Sequence, residues 1–168
     1  MSIHSTHPFP TSEDPVRRLR GRLGGAVALV ASGAGDERVG LTVSSLMVAG
    51  GEPAFVLFLV DPDSSLGETL EVGSRAVVQL LAWQHRGLAD AFAGTSPAPG
   101  GPFRTGSFAD SAWGPRLVDA TAWASVTVST LREVGWSLEV AATIDAIEIG
   151  SDEEALLHRR GRWSRPRE

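Results

Sequence analysis

The stretch GLTVSSLMVAGGEPAFVLFLVD, residues 40–61, reads as two extended segments around a Gly50-Gly51-Glu52-Pro53 turn. Alternation places Val39, Leu41, Val43, Ser45 and Met47 on one side of the first strand, and Thr42, Ser44, Leu46 and Val48 on the other. Three hydroxyls therefore sit beside one of the most apolar runs of the chain, residues 54–60. A buried hydroxyl without a partner costs roughly 1–3 kcal/mol, against a total domain stability of about 5–15 kcal/mol. Thr42, Ser44 and Ser45 must face water, bond to neighbouring main chain or hold a ligand.

The same reading extends outward from this stretch. Asp14 before Pro15 is a cap followed by a first helical residue, and Val16, Leu19 and Leu23 form an apolar stripe that Gly24 and Gly25 end. Residues 26–31 form a β-branched run that turns through SGAGDER into residues 39–48, a predicted hairpin. Asp61-Pro62-Asp63 breaks the strand over 54–60, and a helix starts at Ser64 or Ser65, with Glu68 in capping-box spacing to Ser65. A strand over 76–82 and a short helix over 85–92 follow. Residues 95–119 are rich in Pro and Gly and aperiodic, as in a lid or partner-covering loop. Residues 123–131 and 136–149 alternate as two long strands, and 151–157 reads as a brief helical turn. Residues 1–12 read as a flexible arm, 13–163 as one domain and 164–168 as an Arg-rich tail. Short helices between strands, without βαβ alternation, predict a mainly β fold, an antiparallel sheet closed into a barrel.

Composition removes several chemistries. The 168 residues include no Lys, Tyr or Cys, which excludes a Schiff base, a P-loop lysine, a tyrosine acid, a thiol nucleophile and disulfides. His4, His7, His85 and His158 show no metal-binding spacing, so no metal site is expected. A net charge of −5 argues against nucleic acid. No apolar run approaches a membrane span and no signal pattern opens the chain, so no membrane partner and a cytoplasmic location are expected. Ser64 and Ser65, at a helix N-terminus, suit an anion there. Asp63 and Glu68 oppose it, so Arg75 or an arginine of the long loop would have to compensate.

Four segments then carry a resemblance. GLTVSSLMVAGGEPAFVLFLVDPDSS is similar to the strand, proline turn, strand and Asp-serine step of the flavin reductase-like proteins, the FMN-binding split barrels. RAVVQLLAWQHRGLADAFAG (75–94), WGPRLVDATAW (113–123) and ALLHRRGRW (155–163) resemble the family's next strand and helix, its entry into the long strands and its closing strand. The order and spacing agree over about residues 15–163, implying an antiparallel split β-barrel with short inserted helices.

The resemblance implies a homodimer with FMN, or FAD, near the interface. It would be reduced by NADH or NADPH and pass its electrons on, often to a partner monooxygenase. A cofactor that carries the redox step suits a chain with few acid, base or nucleophile side chains, and it leaves no catalytic side chain to be named. By motif position Thr42, Val43, Ser44 and Ser45 would line the isoalloxazine and ribityl chain, with Asp61 in the following turn. Ser64 and Ser65 would take the phosphate, and Gln79 stands where the family commonly has Asn. His158, Arg160 and Trp163 would close the pocket. The family's Gly-Asp-His group appears here as Gly135-Trp136-Ser137, where Trp136 could stack on a ring, and its Tyr-His pair as His158-Arg159. Two alternatives stay open: a flavin-binding dimer without reductase activity, and a barrel interaction module whose Arg-rich end docks a partner.

Overall fold

The computed structural model describes residues 14–152 and 154–167; the expected arm over 1–12 lies outside them. Asp14 caps α1 (Pro15–Leu23), its carboxylate accepting from the Val16 amide at 3.0 Å. The strands that follow are β1 (Gly25–Ala26), β2 (Ala28–Ser32), β3 (Val39–Val43), β4 (Met47–Ala49) and β5 (Phe55–Val60). Then come α2 (Ser65–Thr69), β6 (Arg75–Leu80) and α3 (Arg86–Ala93), the last preceded by a 3-10 turn at Trp83–His85. The chain ends with β7 (Phe108–Ala109), β8 (Arg116–Leu117), β9 (Ala122–Val134), β10 (Ser137–Ile149), β11 (Leu157–Arg159) and β12 (Arg162–Ser164).

Seven strands form one antiparallel sheet in the order β3-β2-β6-β9-β10-β5-β4. β3 and β5 stand far apart in that order yet touch, so the sheet curls until its two edges approach each other. Val30, Val43, Val56, Phe58, Val126 and Val140 fill the interior, and Leu66 and Leu70 bring α2 onto it beside β3. Burying each such side chain contributes about 1.5–3 kcal/mol, which fixes the register: a one-residue slip would turn every one of them outward.

A second core lies on the outer face. Leu29 from β2, Leu88, Ala89 and Phe92 from α3, Leu117 and Leu156 pack there, with Trp123 and Trp163 against them. Gly40 is small for this reason, since a Cβ on it would meet the Phe92 ring at 2.8 Å. The long loop is ordered against α3 by edge-on contacts among Phe92, Phe103 and Phe108, with centroids 4.9 to 6.0 Å apart. It also contains a 3-10 turn at Pro102–Thr105 and the β7–β8 pair.

Two expectations need correction. The predicted strand over 39–48 is interrupted at residues 44–46. The helical turn expected over 151–157 is absent among the described residues: Ala155 bridges Ala82, and β11 begins at Leu157. Leu156, fully buried, accepts from the Val27 amide at 3.1 Å and donates to the Leu81 carbonyl at 3.0 Å, so core packing overrides the local capping pattern. At the expected tail, β12 runs through Ser164, and Arg165 pairs with Glu154 at 3.2 Å.

Candidate functional site

The break at 44–46 has a specific cause. β4 pairs with β5 as far as Met47 opposite Leu57, and continuing that ladder by two positions sets residue 45 opposite Leu59. The Ser45 hydroxyl fills that position, accepting from the Leu59 amide at 2.9 Å and donating to its carbonyl at 3.2 Å. A side chain replaces main chain across the split. The amides of Ser44, Ser45 and Leu46 consequently make no hydrogen bond among the described residues. Three consecutive main-chain donors are thereby left available to a partner outside the chain.

The other hydroxyls answer the opening question differently. Thr42 donates to the Ala89 carbonyl of α3 at 2.7 Å, so its side chain is a strap between β3 and α3. Ser44 is exposed, with no protein partner among the described residues. Val43 points into the barrel and offers only its main chain. Ser64 caps α2, accepting from the Gly67 amide at 3.0 Å and donating to the Asp61 carbonyl at 2.6 Å; Ser65 is exposed. The cap residue is thus Ser64, and the Ser65–Glu68 spacing is not used. Asp61 closes its turn by accepting from the Asp63 amide at 2.9 Å.

α2, which Ser64 caps, packs on β3, and its Leu66 belongs to the core cluster against which Leu46 of the break packs. The C-terminal hairpin arrives from the other side. His158 pairs with Gly25, and a Cβ on Gly25 would meet the Ser44 carbonyl at 3.2 Å. Trp163 packs edge-on to His158 at 5.1 Å and donates from Nε1 to the Asp90 carboxylate at 2.9 Å, next to the Ala89 strap from Thr42. Arg160 forms the β11–β12 turn at φ 54°, its amide donating to the Gly21 carbonyl of α1 at 2.8 Å. Burial, and then the Arg20 guanidinium, hold the His158 pKa below its ordinary value, which favours a neutral ring.

Gln79 is not brought to this corner as a free group. It is fully buried on the outer face, Oε1 accepting from the Leu117 amide at 2.6 Å and Nε2 donating to the Pro115 carbonyl at 3.2 Å. Its amide pins the long loop. Arg75 is also engaged elsewhere, stacked on Trp113 at 5.3 Å. Trp136 stands 53 % exposed at the β9–β10 turn, and Leu138 opposite Val60 sets that turn beside the one beginning at Asp61. Sequence reading missed Gly25, Asp90 and the Leu46 amide. A glycine after Gly24 looked like a helix stop, and the Leu46 donor depends on a ladder that no residue pattern reveals.

Comparison with known proteins bears on the fold and the family. Residues 20–165 match the flavin reductase like domain family. The chain is 27% identical to an FMN reductase (NADH), RutF, of Ancylobacter novellus over 148 residues, covering 88% of this chain and 81% of that protein. It superposes with a TM-score of 0.81 on the Streptomyces globisporus NADH:FAD oxidoreductase SgcE6 in complex with NAD and FAD fragments, at 23% identity over 90% of this chain and 91% of the other. On the styrene monooxygenase flavin reductase SMOB of Pseudomonas putida S12 the TM-score is 0.78, at 20% identity over 90% and 97%.

Proposed function

We propose, for a chain that belongs to the flavin reductase like domain family, that it is an NAD(P)H:flavin oxidoreductase that binds FMN, or FAD, at the 44–46 break. The supporting observation is the row of unpaired Ser44, Ser45 and Leu46 amides, bordered by Ser64, Ser65 and His158. A flavin held there supplies the two-electron chemistry that the chain's side chains lack, accepting a hydride from NADH or NADPH. The three amides stabilise negative charge at the edge they face, and they are preorganised because the Ser45 clip fixes them before any ligand arrives. The Ser65 hydroxyl offers a donor to a phosphate group. The β11–β12 hairpin, which carries His158, Arg160 and Trp163, flanks the break through the pairing of His158 with Gly25 beside Ser44.

The reading includes a homodimer with the flavin near its interface and a monooxygenase as acceptor of reduced flavin. The resemblance to SMOB supports the latter, and Met47 and Val48, exposed beside the break, support the former. Steady-state oxidation of NADH and NADPH with FMN or FAD added tests the reading. Flavin-stimulated turnover is expected. Bound flavin with no nucleotide oxidation would favour a carrier or sensor, for which the absence of the family's His at Gly135-Trp136-Ser137 speaks.

A further inference from the structure

α1 is built inside out. Gly21 faces the body, with its carbonyl accepting from the Arg160 amide at 2.8 Å and the space for a Cβ ending 3.6 Å from the Arg160 backbone. At about 100° per residue, Val16, Leu19 and Leu23 lie on the opposite side of the helix, and they are 74%, 65% and 76% exposed. Arg17, Arg18, Arg20 and Arg22 flank this stripe, and α1 contains no acidic residue. Among the described residues none of these four arginines has a carboxylate partner. Yet the whole chain is net −5, so the acid excess resides in the rest of the molecule.

The complementary surface is on the same chain. A shallow, widely open groove of about 500 Å3 lies between residues 51–54 and residues 144–147. Ala54, Ile144, Ala146 and Ile147 give it an apolar floor, while Glu52 and the exposed Asp145 lie at its rim; Asp145 Oδ2 accepts from Trp113 Nε1 at 2.8 Å and from the Thr127 hydroxyl at 2.6 Å, which leaves Glu52 and the second Asp145 oxygen to face an incoming arginine. Val48 on one side, and Ile147 and Ile149 on the other, extend the apolar surface and are 67%, 54% and 75% exposed. Apolar anchors spaced i, i+3 and i+7 with flanking positive charge fit an apolar groove with an acidic rim. A free phosphate would satisfy the arginines but leave the leucines in water.

We propose that α1 of one copy docks in the 51–54/144–147 groove of a second copy, reciprocally, so that each subunit's helix is held by the other. This deepens the dimer reading above and rests on it only for the existence of a pair. Two-fold symmetry makes the contact occur twice, so each substitution counts double.

The test is sedimentation and native mass spectrometry of the full-length chain without flavin or nucleotide, at micromolar concentration. Leu19→Glu in the helix and Ile147→Glu in the groove each remove an exposed side chain, and each is expected to leave the far-ultraviolet circular dichroism spectrum unchanged while the melt falls to that of the monomer, because association stabilises the fold by mass action. Each alone weakens the dimer at least ~100-fold, as loss of two buried apolar anchors requires. Mixing the two variants restores heterodimers, because one intact helix meets one intact groove. A monomeric wild type, a Leu19→Glu chain that stays dimeric, or mixing that restores nothing would overturn the proposal. So would a Leu19→Glu monomer that melts well below the Ile147→Glu monomer, because the stripe would then be covered within its own chain. None of these outcomes bears on flavin chemistry, which is read separately from a flavin titration.

Discussion

Replacing Gln79 by leucine isolates what the buried amide does. Leucine nearly preserves the volume and deletes both bonds, leaving the Leu117 amide and the Pro115 carbonyl without partners at buried loop positions. Each orphaned group costs roughly 1–3 kcal/mol, less what the apolar side chain regains, so the net loss is about 2–4 kcal/mol. For a chain of this size each kcal/mol moves the midpoint by about 2–4 °C, so Gln79→Leu is expected to melt roughly 5–15 °C lower. Circular dichroism melts measure this directly, and a flavin titration well below both midpoints checks that affinity is unchanged. The reasoning fails if the midpoint moves by less than about 2 °C. It fails equally if flavin affinity falls while stability holds, because Gln79 would then belong to the cofactor rather than to the loop.

Ser45→Ala removes the clip to Leu59; a stability loss of about 1–2 kcal/mol and a raised flavin Kd are expected together, whereas Ser45→Thr, which keeps the hydroxyl, should retain most of the stability and of the affinity. Gly40→Ala drives a methyl into the Phe92 ring and should cost about 1–3 kcal/mol by urea unfolding, as overpacking does. Because the folded-state pKa of His158 lies below its unfolded value of about 6.5, the ring's contribution to stability is complete above that pH and is lost as pH falls toward the folded pKa. Chemical unfolding across that acidic window should show a steeper decline for the wild type than for His158→Gln.

The long-range frame was legible because its signals are periodic. Val126 and Val128 alternate inward along β9, as do Val140 and Ala142 along β10. Asp14-Pro15 marked the first helix, and Leu88, Ala91 and Phe92 marked the buried face of α3. What stayed hidden depends on partners distant in sequence. Nothing local to Ser45 announces that its hydroxyl will stand in for main chain opposite Leu59. Ser151 and Glu154 have the spacing of a helix start, yet burial of Leu156 between Val27 and Leu81 draws the segment out straight. The hydroxyl cluster pointed to the proposed site, yet what distinguishes that segment is the main-chain donors freed where the Ser45 hydroxyl stands in for the ladder.

The central claim, that a flavin at the 44–46 break supplies the redox chemistry this chain lacks, is tested most directly by the visible absorption of the protein with FMN, followed without oxygen as NADH is added. The account predicts protein-dependent bleaching of the oxidised flavin band at a rate that saturates with NADH, and a weaker effect in Ser45→Ala. A spectrum that NADH and NADPH leave unchanged, with FMN and with FAD alike, would contradict it.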